Sequence, residues 1–392
     1  MWYNPGVMGK RAKNVLLLGG PYMQNYYSSI TALAMERGWY LEMDERYNPP
    51  RGWRGDGVIA MLFDVPVMNR FLDDVLSRGI PVVNIIGVSN REDFGHVFTD
   101  ESALGRMAAE HFRERSFTHA AFFAPEWTSL HERRYRAFAD AFGEPRPEKW
   151  RWPAERGRPS DRLEIADWTA RTLAAARKPV AVLTFNAYNA SFLARVCNDR
   201  RISVPHEVAI LSGFENPIHT THKDMPISAI RHDSETICTK AVNLLQRMMD
   251  GRASRTSSVA VPPLGIAVRR STDAVAAEDP VLRAAMSYIC TNMSRPFGPA
   301  QVADKVGVSL DRLNRIANRE LGRSMLDEIS RQRMSAAKRL MADTDLKLSA
   351  VAHETGFCNA SYFCKTFRET EGVSPHHWRS AAKKGSIPAA RS

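Results

Sequence analysis

The stretch HETGFCNASYFCKTFRETEGVSPHHWR, residues 353–379, combines side chains that suit three kinds of chemistry. Its cysteines and histidines can ligate a metal, its phenylalanines can fill a core, and its lysine and arginines can bind a polyanion. The five cysteines of the chain form no CxxC pair and no Cys/His pair at zinc spacing. Neither a zinc site nor a disulfide framework is therefore expected, and no metal is predicted.

The spacing within this stretch separates a core face from a polar face. Three phenylalanines at i, i+6 and i+10 share one helix face and are predicted to be core: Phe357, Phe363 and Phe367. Lys365 and Arg368 project from the opposite side, where phosphates or bases would lie. Cys358 and Cys364 are expected to be small semi-buried or groove-facing side chains. The stretch is therefore predicted to read DNA.

Positive charge is concentrated in the same part of the chain. The formal charge is +11, and residues 281–392 hold 18 Lys and Arg against 10 Asp and Glu. This uneven distribution favours a polyanionic partner for the last 112 residues, although a basic solvated surface is the alternative.

Catalytic signatures were sought in the remaining sequence. It contains no GxSxG, P-loop or HExxH motif, and Gly19-Gly20 lacks the GxGxxG spacing. We therefore predict no catalytic residue, no cofactor and no enzymatic activity. No run of about 18 apolar residues occurs, and VLLL is too short for a signal peptide. A cytoplasmic protein associated with the nucleoid is expected, with no membrane partner.

Residues 14–270 alternate short apolar runs with amphipathic stretches, which predicts an α/β fold of two lobes, each with a parallel sheet, and a cleft between them. The predicted strands are 14–18, 57–61, 82–86, 120–124, 180–185 and 208–212. The predicted helices are 28–37, 67–78, 101–115, 132–142, 162–176 and 191–201.

From residue 281 onward the pattern is helical throughout, which predicts a separate all-α domain. We place an α/β domain at 1–273, a short polar and alanine-rich linker at 274–282, and the helical domain at 283–385.

The helical domain repeats itself. Residues 302–324 align with 351–374 at an offset of 49–50, which indicates two copies of one supersecondary unit. Each copy reads as a short helix, a glycine, a polar N-cap and a longer helix. This is the helix-turn-helix plan, whose second helix fits the major groove of DNA.

The segment KRLMADTDLKLSAVAHETGFCNASYFCKTFRETEGVSPHHWR resembles the C-terminal signature of the AraC/XylS regulators over more than forty residues. The resemblance implies two helix-turn-helix units joined by one long helix, here Met325–Ala342, that read successive major-groove segments of double-stranded DNA. It also implies these base-contacting residues: Asp311, Asn314, Arg315, Asn359, Ala360, Ser361 and Lys365.

Physical chemistry supports these contacts unequally. Arg315 can bond guanine in a bidentate manner and Asn314 can bond adenine, each worth about 1–3 kcal/mol of discrimination. Asp311 either accepts from cytosine or caps its helix. Ala360 can touch only a thymine methyl group, and Lys365 can contact phosphate instead of base.

The first 270 residues resemble the sugar-binding core of the LacI/GalR repressors, which is shared with periplasmic sugar-binding proteins. The matching pieces include RGDGVIA (54–60), TDESALGRMAAEHF (99–112) and the segment 185–216. The resemblance implies a site for a small sugar with these ligand-binding residues: Tyr22, Tyr26, Arg134, Asn186 and Glu215. For each of them a surface or lobe-packing role is the alternative.

Two departures from that family bear on the ligand. Asn186 or Ala187 stands where the family has an acidic residue, and Glu215 replaces its aspartate. Both changes reshape the pocket, so we expect xylose or a relative of xylose as effector.

Together the resemblances imply a ligand-responsive DNA-binding regulator of carbohydrate catabolism, more specifically an activator. They imply a homodimer joined through its α/β domains, and contact with RNA polymerase. The alternatives are a regulator that senses a non-sugar metabolite and an α/β enzyme with a DNA-binding tail.

Overall fold

A computed structural model describes residues 11–19, 24–44, 49–61, 66–85, 91–157, 159, 161–221, 225–274, 276–295 and 297–383. The chain forms two compact units. Unit 1 comprises Met1–Ala109, Ala124–Gly143 and Ile230–Ile266, and unit 2 comprises Glu110–Phe123, Glu144–Ala229 and Ala267–Ser392. Within the described ranges, no helix has both the length and the apolar character needed to cross a membrane.

The secondary structure consists of strands in the first 267 residues and helices along the whole chain. The strands are β1 (Asn14–Leu18), β2 (Tyr40–Asp44), β3 (Gly57–Ala60), β4 (Val82–Asn84), β5 (Gly95–Thr99), β6 (Ala120–Phe123), β7 (Glu148–Trp150), β8 (Val180–Thr184), β9 (Val208–Ser212), β10 (Ser228–Arg231), β11 (Ser258–Val261) and β12 (Gly265–Ala267). The helices are α1 (Gln24–Glu36), α2 (Pro66–Ser77), α3 (Glu101–Arg113), α4 (Ser129–Phe142), α5 (Arg162–Ala175), α6 (Ala187–Asp199), α7 (Pro217–Thr220), α8 (Ser234–Met249), α9 (Pro280–Thr291), α10 (Pro299–Lys305), α11 (Leu310–Leu321), α12 (Met325–Asp343), α13 (Leu348–Glu354), α14 (Ala360–Glu371) and α15 (Pro375–Lys383).

Unit 1 is built on a sheet with the strand order β11-β5-β4-β3-β1-β2, in which all neighbours are parallel. Strand β1, which lies between β3 and the edge strand β2, is apolar and buried from Val15 onward because helices cover both faces of the sheet. One core layer includes Val15, Leu17 and Ile30 with Leu245 of α8, and the opposite layer includes Leu16 with Leu72 of α2.

Unit 2 begins with a second sheet, of order β12-β10-β9-β8-β6-β7. The strand pairs β10–β9, β9–β8, β8–β6 and β6–β7 are parallel. We call this α/β part of unit 2 its α/β lobe. The predicted fold class, two parallel-sheet α/β lobes followed by an all-α region, is confirmed.

Helices α9–α15 form the helical region of unit 2, and it has two apolar cores. The first gathers side chains of α9–α12, among them Leu282, Met286 and Leu313. The second gathers α12–α15 around Phe363 and Phe367. Helix α12 contributes to both cores, as expected of the long connecting helix. It begins at the predicted residue and ends one residue beyond the predicted Ala342.

The sequence missed elements that lack an uninterrupted apolar run. The edge strands β2 and β11 consist mainly of exposed and half-buried residues, so they were not recognised as buried apolar runs. Helix α8 was also not predicted, although its buried side packs against α1. Helix α6 begins earlier than the predicted residue 191 because Asn186 caps it.

Candidate functional site

Both helix-turn-helix units are present, and their turns have the same backbone. Gly307 and Gly356 each adopt φ of +72°. This left-handed conformation favours glycine, and it lets the following helix cross the preceding one. Gly356 is also crowded, since a Cβ built there would lie 2.4 Å from the carbonyl oxygen of Met293. Position 356 therefore requires glycine for two reasons, and position 307 for one.

A side-chain cap starts each second helix. The Ser309 hydroxyl accepts a hydrogen bond from the Arg312 amide (3.3 Å), which starts α11. The Asn359 Oδ1 atom accepts from the Tyr362 amide (2.8 Å), which starts α14. Each cap satisfies an amide that has no partner within the helix. The Asn359 carbonyl is thus engaged in the fold, and its amide nitrogen donates to the Cys358 sulfur (3.6 Å) at an exposed position.

The inner faces of the two second helices are buried as the periodicity predicts. In α14, Phe363 and Phe367 are fully buried, and Phe367 packs edge-on against Trp378 with ring centroids 6.1 Å apart. Phe357 is half-buried and packs on Phe363 at 5.1 Å. The predicted core role of the three phenylalanines is therefore confirmed.

The outer face of α11 carries exposed charged residues. Asp311, Arg312 and Arg315 are exposed, and Arg315 makes no ion pair with any described residue. Because Ser309 is the cap, Asp311 is not needed for that role. Asn314 is half-buried, and its Oδ1 atom accepts from the Met325 amide at the start of α12 (3.1 Å). Only the amide nitrogen of Asn314 therefore remains for a base.

The outer face of α14 is less strongly charged. Ser361 and Lys365 are exposed, and the Lys365 side chain lies 4.0 Å from Glu369 of the same helix. Ala360 is half-buried. Tyr362 is 54% exposed beside these residues and was not predicted. The sequence signal for its exposure was its place between a polar residue and the buried Phe363.

Two cysteines of the stretch 353–379 lie near the start of α14. Cys358 is exposed, Cys364 is half-buried, and both thiols are free. Across the ranges that the structure describes, no group of three or more His, Cys, Asp and Glu side chains is arranged to hold a metal ion.

In unit 1, the predicted ligand residue Arg134 is held by an acidic partner. Its Nε and Nη2 atoms donate to the two carboxylate oxygens of Glu101 at 2.7 and 2.8 Å. Both side chains are largely buried, with exposed fractions of 6% and 16%. A bidentate pair of this kind fixes the guanidinium plane. Glu101 was missed because nothing in the sequence links it to a residue 33 positions away, although it lies in the segment 99–112 that resembles sugar receptors.

Two tyrosines, Tyr22 and Tyr26, were also predicted to contact the ligand. Tyr22 lies outside the described residues. Tyr26 is 6% exposed and packs in the core between α1 and α8, and burial raises the pKa of its phenol. This position corrects the prediction of a sugar-stacking side chain, because the lobe-packing alternative accounts for Tyr26.

In unit 2, two predicted ligand residues follow neighbouring parallel strands. Asn186 follows β8 and caps α6 through its Oδ1, which accepts from the Asn189 amide (2.9 Å). Glu215 follows β9, and its carboxylate pairs with Arg269. The carboxyl ends of parallel strands meet at one edge of a sheet, where ligands of α/β folds bind. The sequence did not predict the role of Arg269, although it lies in the RRST segment (269–272).

Comparison with known proteins finds two family matches in the chain. Residues 109–272 match the model of the periplasmic binding protein-like domain family, and residues 302–381 match that of a helix-turn-helix domain family. The chain is 26% identical over 370 residues to the xylose operon regulatory protein of Escherichia coli K12, covering 88% of this chain and 90% of that protein. It is 24% identical over 333 residues to the xylose operon regulatory protein of Haemophilus influenzae, covering 83% and 84%.

The fold has a counterpart among solved structures. The structure of the xylose-binding transcription activator XylR superposes with a TM-score of 0.74 at 22% identity, covering 95% of this chain and 99% of that one. The order of an α/β part followed by a helix-turn-helix part is thus shared with that fold.

Proposed function

We propose that this chain, an AraC-type regulator with a periplasmic-binding-protein-like sensor domain, controls transcription of carbohydrate-catabolism genes in response to a small sugar. One observation carries the proposal: a single alignment to the xylose operon regulatory protein of Escherichia coli runs through both domains in the same order, over 88% of this chain. The relatives reported above are transcription regulators, so the alternative of an α/β enzyme has no support.

The helical region binds double-stranded DNA through the outer faces of α11 and α14. Arg315 is our strongest candidate for base reading because its guanidinium is exposed and can bond guanine in a bidentate manner. The remaining proposed contacts, direct or through phosphate, are Asp311, Asn314, Asn359, Ala360, Ser361 and Lys365. Asn314 and Asn359 act with their amide nitrogens only, since their carbonyl oxygens serve the fold.

The effector is xylose or a related sugar, and the proposed contact residues are Arg134, which donates hydrogen bonds to sugar hydroxyls, Asn186, and Glu215, whose carboxylate accepts them. Each of the two charged residues already has a partner of opposite charge. An oriented guanidinium and carboxylate suit hydroxyl groups, which both donate and accept. Because no acid stands at Ala187, the effector need not be xylose itself.

The protein acts in the cytoplasm as a homodimer joined through its α/β domains, and it activates transcription through RNA polymerase. The dimer proposal has a physical motive: one pair of helix-turn-helix units covers only half of a typical operator, and two copies would read two similar half-sites. A single species at the monomer mass in sedimentation, both free and on DNA, would overturn it.

Two measurements on the full-length chain test the proposal. Retardation of promoter DNA should weaken steeply as salt rises, because phosphate contacts release counterions. Calorimetry against pentoses, hexoses and sugar acids should identify one sugar that binds, and that sugar should bind Arg134→Lys more weakly. Binding of a sugar acid alone would favour the alternative of a non-sugar metabolite sensor. Binding of no compound to the wild type would refute the sensor assignment.

A further inference from the structure

Residues 271–279, here called the joint, connect the α/β lobe of unit 2 to α9. The sequence predicts a polar and alanine-rich linker over most of this segment, which usually means a solvated tether. In the structure the small side chains of the joint that are described are buried, whereas Glu278 is exposed. Ser271 and Thr272 are fully buried, and the exposed fractions of Ala274, Ala276 and Ala277 are 3%, 7% and 2%. Residue 275 lies outside the described residues. Burial of small side chains indicates close packing rather than a free tether.

Hydrogen bonds hold the joint to the α/β lobe. The Ala276 amide donates to the Arg115 carbonyl (2.7 Å), and the Arg115 Nε donates to the Thr272 carbonyl (2.8 Å). The Thr272 hydroxyl lies 2.7 Å from the Ser228 hydroxyl at the start of β10. The Ser271 hydroxyl donates to the Ile210 carbonyl of β9 (2.6 Å). Two central strands of the lobe are therefore attached to the joint.

On its other side the joint is held to both long helices of the helical region. Asp273 accepts from the Ser335 hydroxyl of α12 (2.8 Å). The amides of Glu278 and Asp279 donate to the Glu320 carboxylate at the end of α11, at 2.8 and 3.2 Å. The Glu320 side chain is 15% exposed, and the Glu278 amide that donates to it lies at an exposed position. Through Glu320, the joint holds the helix that carries Arg315.

The joint also begins beside a candidate ligand residue. Arg269, which pairs with Glu215, lies four positions before Asp273. The amide and carbonyl of Arg269 are both bonded to the Ser228 hydroxyl, at 2.8 and 2.9 Å. A sugar that bonds to the Glu215 carboxylate would compete with Arg269 for it, at a point fixed to the joint.

We infer that the joint is a rigid coupling element, and that Asp273 and Glu320 are the positioning residues through which the α/β lobe sets the placement of α11 and α12. This inference rests on the proposed function, because the signal that it transmits is sugar binding. The alternative is ordinary packing, in which the two contacts stabilise the fold but carry no signal. Coupling between the sugar site and the DNA-binding helices is measured as the ratio of the DNA affinities with and without the sugar.

The first test requires no ligand. Hydrogen exchange of the full-length chain should show that the amides of Ala276, Glu278 and Asp279 are protected as strongly as those of α11. Exchange at the rate of a solvated peptide would overturn the inference, whatever the sugar does. This arm stays informative if the protein proves not to sense sugars.

The second test measures coupling, with D-xylose as the probe. DNA affinity is measured by fluorescence anisotropy with and without saturating xylose for the wild type, Asp273→Ala and Glu320→Ala. In both variants the affinity ratio should fall at least fivefold toward 1, while xylose affinity by calorimetry stays within about twofold of the wild type. Asp199→Asn, an exposed change in α6 of the same unit, should keep the full ratio.

Controls separate coupling from unfolding and from failure of the proposed function. Ser335→Ala removes only one hydroxyl and should lower the ratio with little change in melting temperature. Asp273→Asn keeps an acceptor for Ser335 and should restore most of the ratio. An unchanged ratio in Asp273→Ala and Glu320→Ala would refute signal transmission through the joint. A wild type whose DNA affinity responds neither to xylose nor to any sugar of the calorimetry panel contradicts the proposed function instead, and hydrogen exchange then decides the rigidity of the joint.

Discussion

The first helix-turn-helix unit (α10–α11) and the second (α13–α14) share a backbone plan but are stabilised by different neighbours. Each has a glycine turn at φ +72°, a polar cap and a helix ended by a left-handed glycine, Gly322 or Gly372. The first unit packs against α9 and the joint, including Ala277. The second packs around its own aromatic cluster. The backbone geometry of each helix-turn-helix unit is thus fixed by a few turn and cap residues. The side chains of its core depend on the elements that the unit packs against.

Equivalent core positions show how this difference arises. At an offset of 50, Leu313 corresponds to Phe363 and Ala317 to Phe367, and all four are fully buried. The smaller side chains of the first unit leave room for Met286 and other residues of α9. The second unit packs against α15 instead, whose Trp378 contacts Phe367, and its core is filled with aromatic rings.

The largest expected effect is at Phe367. Phe367→Ala removes a buried ring and should lower the free energy of unfolding by about 3–5 kcal/mol. The reciprocal change Ala317→Phe should overpack the first unit at a cost of about 1–3 kcal/mol. Urea titrations of both variants measure the change in the free energy of unfolding. Equal, small losses would mean that the two cores are not specialised.

Acid should weaken the attachment of the first unit selectively. Burial, followed by the charge of Arg115, lowers the pKa of His111 to about 3, and burial, followed by Arg270, lowers that of His206 to about 4. His111 bonds to Thr272 of the joint (2.8 Å), and His206 lies 3.2 Å from the Cys290 thiol of α9.

The sign of this effect follows from proton uptake. In the unfolded chain both histidines bind protons near pH 6.5, whereas in the folded chain they stay neutral. Their stabilising effect is therefore complete above about pH 6.5 and is lost as the pH falls. Between pH 7 and pH 5 the loss should be on the order of 2 kcal/mol for each histidine. Urea titrations at both pH values should show a shallower dependence for His206→Gln and His111→Gln. The same dependence as the wild type in both variants would contradict this account.

The two turn glycines should differ in their tolerance of a methyl group. Gly307→Ala incurs only the left-handed backbone penalty, about 1–2 kcal/mol, because no described atom lies within 4 Å of the added Cβ. Gly356→Ala adds a clash with the Met293 carbonyl and with Arg333, so its loss in thermal unfolding should be larger. Equal losses would show that the second turn can shift away from α12.

Arg315 and Lys365 occupy the same position in the two repeats, yet we expect different roles. Arg315→Ala should weaken specific DNA binding by about 1–3 kcal/mol and relax the preference at one base pair. Lys365→Ala should weaken specific and random DNA alike and reduce the salt dependence by about one phosphate contact. Competition binding with single-base operator variants distinguishes the two. Equal losses on specific and random DNA for Arg315→Ala would contradict base reading.

The smallest effects concern the caps. Ser309→Ala and Asn359→Ala should each cost about 1 kcal/mol of stability, because each leaves a helix amide without its acceptor. Asn359→Ser keeps the cap but removes the amide nitrogen. If Asn359 also reads a base, this conservative variant should lose DNA specificity while its melting temperature is retained. Retention of both would assign Asn359 to the cap alone.

Periodicity and local motifs predicted the elements that have a strong local cause. Strand β9 (Val208–Ser212) and the start of α12 at Met325 agree with the sequence residue for residue, since one is a buried apolar run and the other follows a serine cap. Edge strand β2 (Tyr40–Asp44) was missed because it is half-exposed and so has no apolar run. Burial of the joint was missed because its polar residues bond to partners distant in sequence.

The candidate ligand residues show the same limit. The resemblance singled out Arg134 and Glu215, but their partners Glu101 and Arg269 lie 33 and 54 positions away. A pairing over such a separation is created by the fold and has no local signal. The prediction that Tyr26 contacts the sugar met a related limit. An aromatic residue after a strand can contact a ligand or fill the core, and the burial of its side chain distinguishes the two roles.

The exposure of the cysteines offers a practical handle. Of the five, Cys197 and Cys238 are buried, Cys290 and Cys364 are half-buried, and Cys358 alone is exposed. It precedes the Asn359 cap at the start of α14, which is the end that we expect to enter the major groove. A maleimide fluorophore should therefore attach there first, without engineering of the chain. A change in the emission of the fluorophore on addition of operator DNA would report whether the second helix-turn-helix unit binds DNA while the first is already bound. Slower attachment of the fluorophore in the presence of operator DNA would report the same event.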